Sequence, residues 1–588
     1  MPARRYSAAL ALSIGVVLVT ASCSPQAPSD VKPTTADARA RGATLSILRL
    51  GPIAAWDPQR LAVGADMAFA GRVFARTLTA WAPATHVDTL PELSPDLATD
   101  TGTPSAGGMV WRFTLRPDAS WQDGKPVTCA DVKYGISRTF ATTQITGGSA
   151  NALAMLDVPR NTDGSSTYAG PYLKTGQAEF DKAVTCSGLS MTFKLARPVP
   201  DFNQVVALSA FGPVRADKDR GAKSATEIFS NGPYMLKTAW TPGTGATFVR
   251  NTHWDAATDP IRKARPLQIV YQEGVTVEAA ISTIMANADA GPNTTSDPFA
   301  IAGDSAPPVL QHNIMSTPPI KALSTNPRAP FVDYLLPNFS RPAMANLKVR
   351  QALAVGTNRE AYVTALGGET AAEATHSMIN KSLPAYNDSN PLGVPPRGDA
   401  ARARGLLEAS GLALPVSITV AYRSGTIADK AMAALQQGWQ DAGFSVTLEG
   451  LENDYFTTIA AVQNSRRYDV MWAVGSAEWP SGSSVIPSLF DSRQNLTPSS
   501  SGQDYGRFAD PAFNAKIDAV AKIADASRRE KSWGDLDMQL ATQVAAIALS
   551  NQKYVFVHGA GVKNYIDNPA LAATVDLAAL DTDPEAGR

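Results

Sequence analysis

Cysteine and histidine are scarce in this 588-residue chain: three cysteines, at 23, 129 and 186, and five histidines, His86, His253, His312, His376 and His558. No two histidines stand three or four positions apart and no Cys-x-x-Cys occurs, so no metal pair, zinc knuckle or redox dithiol is supported. A G-x-S-x-G elbow and a G-x-x-x-x-G-K-[ST] phosphate loop are also missing, so an enzyme has no positive sign here and no cofactor is implied. Charge of one sign is not concentrated anywhere. Lysine and arginine number 52 against 53 acids, a net charge of −1, which carries no footprint of a nucleic-acid partner. Beyond the first twenty residues no apolar run approaches the ~20 residues that span a bilayer.

The remaining composition is that of a globular protein, with 44% hydrophobic and 18% charged residues. The length exceeds what one core organises, so two or more domains are expected.

The N-terminus reads as an export signal. Arg4 and Arg5 precede the apolar run Ala8 to Val19, which is too short for a stable membrane span. It ends at Thr20-Ala21-Ser22-Cys23, which resembles a bacterial lipobox with Thr20 where leucine is usual. On that reading residues 1–23 are signal peptide and lipobox, and Cys23 carries lipid. The alternative is ordinary cleavage with Cys23 incidental. Residues 24–43 are rich in Pro, Ser, Thr and Ala and read as a flexible tether. In an exported chain Cys129 and Cys186 remain as an even pair, which suggests one disulfide.

The most informative stretch is Met109 to Phe140. Trp111, Phe113 and Leu115 alternate with Arg112, Thr114 and Arg116, predicting a half-buried strand. Asp123-Gly124-Lys125-Pro126 is turn chemistry. Thr128 with Asp131 predicts a capping box, and Val132, Ile136 and Phe140 form one apolar stripe of the helix that follows. In this order the pieces resemble the signature of family 5 extracellular solute-binding proteins, the peptide and nickel receptors of ABC importers. Ser230-Asn231-Gly232-Pro233-Tyr234, Asn251-x-x-Trp254 and Val349-Arg350-x-Ala352-Leu353 resemble further motifs of that family, in its order. Ser230 replaces a usual glycine, and Asn358-Arg359-Glu360 stands where the family has Asp-Arg-Glu.

The rest of the chain reads as alternating elements. Met67 to Leu78 is predicted helical, and Met191, Phe193 and Leu195 predict a second alternating strand that shares a sheet with the first. Tyr334–Phe339, Val416–Ala421, Phe444–Leu448 and Tyr468–Trp472 read as strands, with a helix over Ala428–Ala442 closed by Gly443. The strand-helix-strand run from 416 to 448 predicts a parallel α/β sheet.

The resemblance implies an α/β fold of the two-lobed periplasmic-binding-protein type, class II with an extra sub-domain, joined by a two-segment hinge. Lobe I would take residues about 44–328 and lobe II about 329–551, with a return to lobe I over 552–588. The sub-domain would cover about 76–200.

The implied function is that of an extracytoplasmic lipoprotein on the cell membrane. As a monomer it would capture a small solute, a short peptide first among the candidates, for the permease subunits of an ABC importer. The same fold binding a metal chelate, sugar or opine, a peptide sensor, and a cell-surface hydrolase are the alternatives. A peptide ammonium needs a carboxylate and a peptide carboxylate needs a cation. Glu478, in the loop after the strand ending at Trp472, stands where peptide-binding relatives place an ammonium-binding aspartate. Arg423 stands near the position of their carboxylate-binding arginine. Trp479, Trp472 and Trp56, the last in the early loop before Asp57-Pro58, are the candidate cleft walls. For Trp472, burial in the core is the competing reading.

Overall fold

The chain alternates strands and helices into three principal sheets. The computed structural model describes residues 43–53, 55–289, 297–497 and 500–582, so Cys23 and all of the predicted tether but residue 43 lie outside the described residues. Among the described residues no helix is long and apolar enough to cross a membrane.

Strand β1 (Thr44–Leu48) is followed by helix α1 (Gly64–Val73). The helix stops short of the predicted Leu78. Phe74 leaves helical geometry at φ −141°, and the chain turns so that Phe74 and Leu78 enter two different cores.

A sub-domain comes next. Strands β2 (Thr103–Ser105), β3 (Val110–Thr114), β4 (Val184–Ser187) and β5 (Ser190–Lys194) form a four-stranded antiparallel sheet in the order β2-β3-β5-β4. Trp111 and Phe113 point inward from β3 and their neighbours outward, as the period of two requires. Helix α2 (Cys129–Arg138) carries the capping box. Thr128 Oγ1 accepts from Asp131 N–H at 3.2 Å, and Asp131 Oδ2 accepts from Thr128 N–H at 2.9 Å. Val132 and Ile136 of this helix share one core with Phe193 of β5 and with Phe202, and Phe140, predicted as part of the helical stripe, joins them from just past the helix end at Arg138. Helix α3 (Asn151–Met155) adds Ala152 and Met155 to this core. A disulfide joins Cys129 at the start of α2 to Cys186 in β4.

Strands β6 (Tyr234–Leu236), β7 (Ala246–Arg250), β8 (Gln268–Gln272) and β9 (Ala300–Ala302) complete the sheet begun by β1, in the order β9-β1-β8-β7-β6. β1 runs parallel to both neighbours. This is the sheet of lobe I.

The chain crosses to the second lobe through β10 (Ser324–Thr325) and begins its sheet with β11 (Arg328–Pro337). Helices α4 (Leu347–Val355) and α5 (Arg359–Leu366) follow, capped by the Asn346 and Asn358 side chains. Then come β12 (Ala372–Ala374), β13 (Val416–Arg423), α6 (Thr426–Ala442), β14 (Phe444–Leu451) and β15 (Val470–Ser476). Helices α7 (Pro511–Ala521) and α8 (Ala526–Gln543) precede β16 (Ile547–Lys553), and β17 (Phe556–Val557) leads back.

The six strands are ordered β12-β16-β11-β15-β13-β14. β13 is parallel to β14 and β15, as the strand-helix-strand run predicts. The sheet as a whole is mixed, because β11 is antiparallel to both β15 and β16. The chain enters this lobe along β11 and leaves along β16, so those two strands must run in opposite senses. Both faces are covered. Leu335 enters the core under α4 and α6, while Tyr334 and Leu336 enter the one under α7 and α8.

The two crossings touch each other. β10 pairs antiparallel with β17, and the Asn326 side chain donates to the carbonyls of Thr370 at 3.0 Å and Tyr554 at 2.6 Å. Just past the crossing, Arg328 bridges Asp88 of lobe I at 2.9 Å and Glu373 of lobe II at 3.2 Å.

Candidate ligand-binding cleft

Loops at the facing edges of the two lobes enclose a cavity of about 1290 Å³, counting its mouth. Lobe I contributes α1, the segment from Ala75 to Trp81, residues 204 and 207–209, and a C-terminal turn at 569–572. Lobe II contributes the start of β11, residues 380–383, and the loop that leaves β15 at Ser476. That loop lies beyond the carboxyl end of a sheet strand, where open α/β sheets place ligands.

Most of the wall is apolar or small, with Met67, Trp81, Leu208, Phe331 and Leu383 among the larger side chains. Three arginines reach it, and each already holds carboxylates. Arg72 is bidentate to Asp576 at 2.9 and 3.0 Å. Arg262 binds Asp96 at 2.9 Å and Asp259 at 3.1 Å, and Arg328 has the pair described above. Burial opposes ionisation of Asp259 and Asp576, but the guanidinium charges prevail and hold both carboxyls below their usual range.

Glu478 is the exception among the charged groups of the wall. It is exposed, and its Oε2 accepts from the Asn151 amide at 2.5 Å and the Ser149 hydroxyl at 3.5 Å. No cation pairs with it among the described residues. Three further polar atoms lining the cavity are buried without a hydrogen-bond partner: Ser209 Oγ, Gln204 Oε1 and Ser382 Oγ. Such atoms cost stability unless something else bonds to them.

The loop carrying Glu478 is held from behind. Glu530 of α8 accepts from the Ser481 hydroxyl at 2.7 Å and the Gly482 N–H at 2.9 Å. Trp479 is 7% exposed and belongs to the apolar cluster of the sub-domain, although it is a lobe II residue. Its indole N–H donates to Asp201 at 2.9 Å and to Ser483 at 3.0 Å.

The remaining candidates lie elsewhere. Trp56 is fully buried, ringed by Phe69, Phe74, Trp240, Phe248 and Tyr271, and forms the centre of the lobe I core. Trp472 stays within its sheet, its indole N–H donating to Tyr362 Oη at 3.0 Å, so the core reading fits it. Arg423 is exposed at the end of β13 and lines no part of this cavity. β13 stops earlier along the sheet than β15, which leaves the arginine short of the cleft edge. Residues that do line it, such as Arg72, Gln204, Ser209 and Ser382, fall in no motif and carried no sequence signal. Among the described residues no group of three His, Cys, Asp or Glu side chains converges to hold a metal.

A two-lobed α/β protein closing on a largely apolar cavity with a few convergent polar groups is a solute-binding protein. The chain belongs to the bacterial extracellular solute-binding proteins, family 5, whose middle region matches residues 92–497. It is 23% identical over 503 residues to the periplasmic murein peptide-binding protein MppA of Escherichia coli, covering 83% of this chain and 84% of that protein. Its fold matches the clavulanic acid biosynthesis oligopeptide binding protein 2 with a TM-score of 0.83 at 25% identity, over 93% of this chain and 96% of the other. Helicobacter pylori DppA, solved in complex with the peptide STSA, shares the fold at a TM-score of 0.65 and 16% identity, over 94% of this chain and 100% of that one.

Proposed function

We propose that this chain is the extracytoplasmic receptor of an ABC importer, capturing a short peptide between its lobes and presenting it to membrane permease subunits. The observation that carries the reading is Glu478, a carboxylate without a counter-ion on the wall of an otherwise charge-balanced cavity. A peptide ammonium supplies the missing charge and donates charge-assisted hydrogen bonds. Ser209, Gln204 and Ser382, whose unpartnered polar atoms belong to residues of the cavity wall, would bond the peptide's own amide groups. The names of the relatives, as peptide-binding proteins, support the same substrate class.

On this reading residues 44–328 and 552–588 act as one jaw and 329–551 as the other, and the chain works as a monomer tethered through lipid on Cys23. Mass spectrometry of whatever co-purifies with the protein tests the ligand class: peptides are expected, and a neutral sugar or a metal chelate would overturn it. Replacing Cys23 by Ala tests the tether, since the protein should then leave the membrane fraction.

A further inference from the structure

A peptide captured by its ammonium still has a carboxylate to place, and among the described residues the cavity that holds Glu478 offers no free cation for it. Arg423 does not reach that cavity, and its three arginines are neutralised. A second chamber of about 1210 Å³, counting its mouth, lies between the sub-domain and lobe II and shares the Trp479 side chain with the first as a common wall.

This second chamber differs in charge. Arg493 on its wall is neutralised by Asp491 and Asp518. Among the described residues Arg197 has no such carboxylate, its guanidinium donating to the neutral Gln494 Oε1 at 3.0 Å, and it is the more enclosed of the two unpaired cations on this wall, Lys522 being exposed. Burial draws the Arg197 pKa down, and the nearest carboxylates only partly restore it. Two more groups are 1% exposed and have an atom without a partner: Asp201 Oδ1, an acceptor, and Trp533 Nε1, a donor. A half-buried cation, a buried donor and a buried acceptor around a largely apolar chamber match the terminal residue of a peptide. Its carboxylate takes the cation and the indole N–H, and its amide N–H takes the acceptor.

Building on the peptide reading, we propose that the chamber behind Trp479 receives the C-terminal end of the bound peptide, with Arg197 as the residue that selects a free carboxylate.

The test uses the full mature protein and paired alanine peptides, two to six residues long, each as the free acid and as the C-terminal amide. Calorimetric titration of the wild type should show, at the length that spans both chambers, a preference for acid over amide of roughly tenfold to a hundredfold. Arg197→Gln should bring that ratio near one, and Arg197→Lys should retain most of it. Matching unfolding curves establish that both variants are folded. A ratio near one at every length in the wild type, or a ratio that survives Arg197→Gln, overturns the proposal. In that event, weakened binding by Glu478→Gln shows that the peptide reading itself still stands. Failure of the wild type to bind any of the peptides removes both.

Discussion

The Trp479 indole N–H donates to Asp201 Oδ2 across 2.9 Å, a bond between the second lobe and the sub-domain of the first. The ring itself sits among sub-domain side chains. Opening the cleft therefore means drawing a buried indole out of a foreign core and leaving a buried carboxylate with fewer donors.

Trp479→Phe keeps an aromatic ring and removes the donor. Among the described residues Asp201 Oδ2 then retains only the Ser483 hydroxyl as donor. We expect about 1–3 kcal/mol of stability to be lost in urea unfolding. The ligand-free variant should also show a larger radius of gyration in solution scattering. A variant as compact and as stable as the wild type would remove this bond from the account of closure.

Glu478→Gln keeps the shape of the side chain and abolishes its charge. Peptide affinity should fall roughly tenfold to a hundredfold by calorimetry, the worth of a hydrogen bond to a charged group. Because Glu478 is exposed, the unfolding midpoint should hardly move. Undiminished affinity would shift the ligand class to neutral solutes.

Gly482 is fixed by close approach. A Cβ there would stand 2.4 Å from Trp533 Cβ and 2.9 Å from Ala385 Cβ. Gly482→Ala must push the Glu478 loop off α8, at a cost of about 1–3 kcal/mol. Thermal unfolding reads the stability, and the same variant should bind ligand more weakly because the loop is displaced.

Asp537 gives the pH dependence a definite sign. It is fully buried on α8 and accepts from the Ser377 hydroxyl at 2.5 Å and the Met378 N–H at 3.1 Å. Burial pushes its pKa up to about 6 against those bonds. Between about pH 4 and 6 the folded chain keeps a proton that the unfolded chain releases, so stability falls as pH rises through that window. The share of Asp537 is roughly 3 kcal/mol. Urea unfolding at pH 4.5 and 7 should show a smaller difference for Asp537→Asn than for the wild type, and an equal difference would place the titration elsewhere.

Local chemistry was the legible part of the sequence. The alternation of Trp111 and Phe113 and the Thr128 and Asp131 box depend on residues a few positions apart, and both take the predicted form. Glu478 was legible through its place after a strand, and that strand does deliver it to the cleft. Trp56 was not, because burial of an aromatic depends on partners as distant as Trp240 and Tyr271. Arg423 fails for a similar reason: a strand is visible from periodicity, but how far it runs relative to its neighbour is a property of the assembled sheet. The second chamber draws Arg197 from one lobe and Trp533 from the other, and nothing in either segment announces the meeting.

The paired crossings carry a mechanical consequence. With β10 laddered to β17 and Asn326 bonded to the Tyr554 carbonyl, the two segments are one leaf spring and not two loose cords. Torsion between the lobes would shear that ladder, whereas bending about it leaves every bond in place. The jaws thus share a single axis, and spin labels on opposite rims of the cleft should report distances that change in proportion to one another.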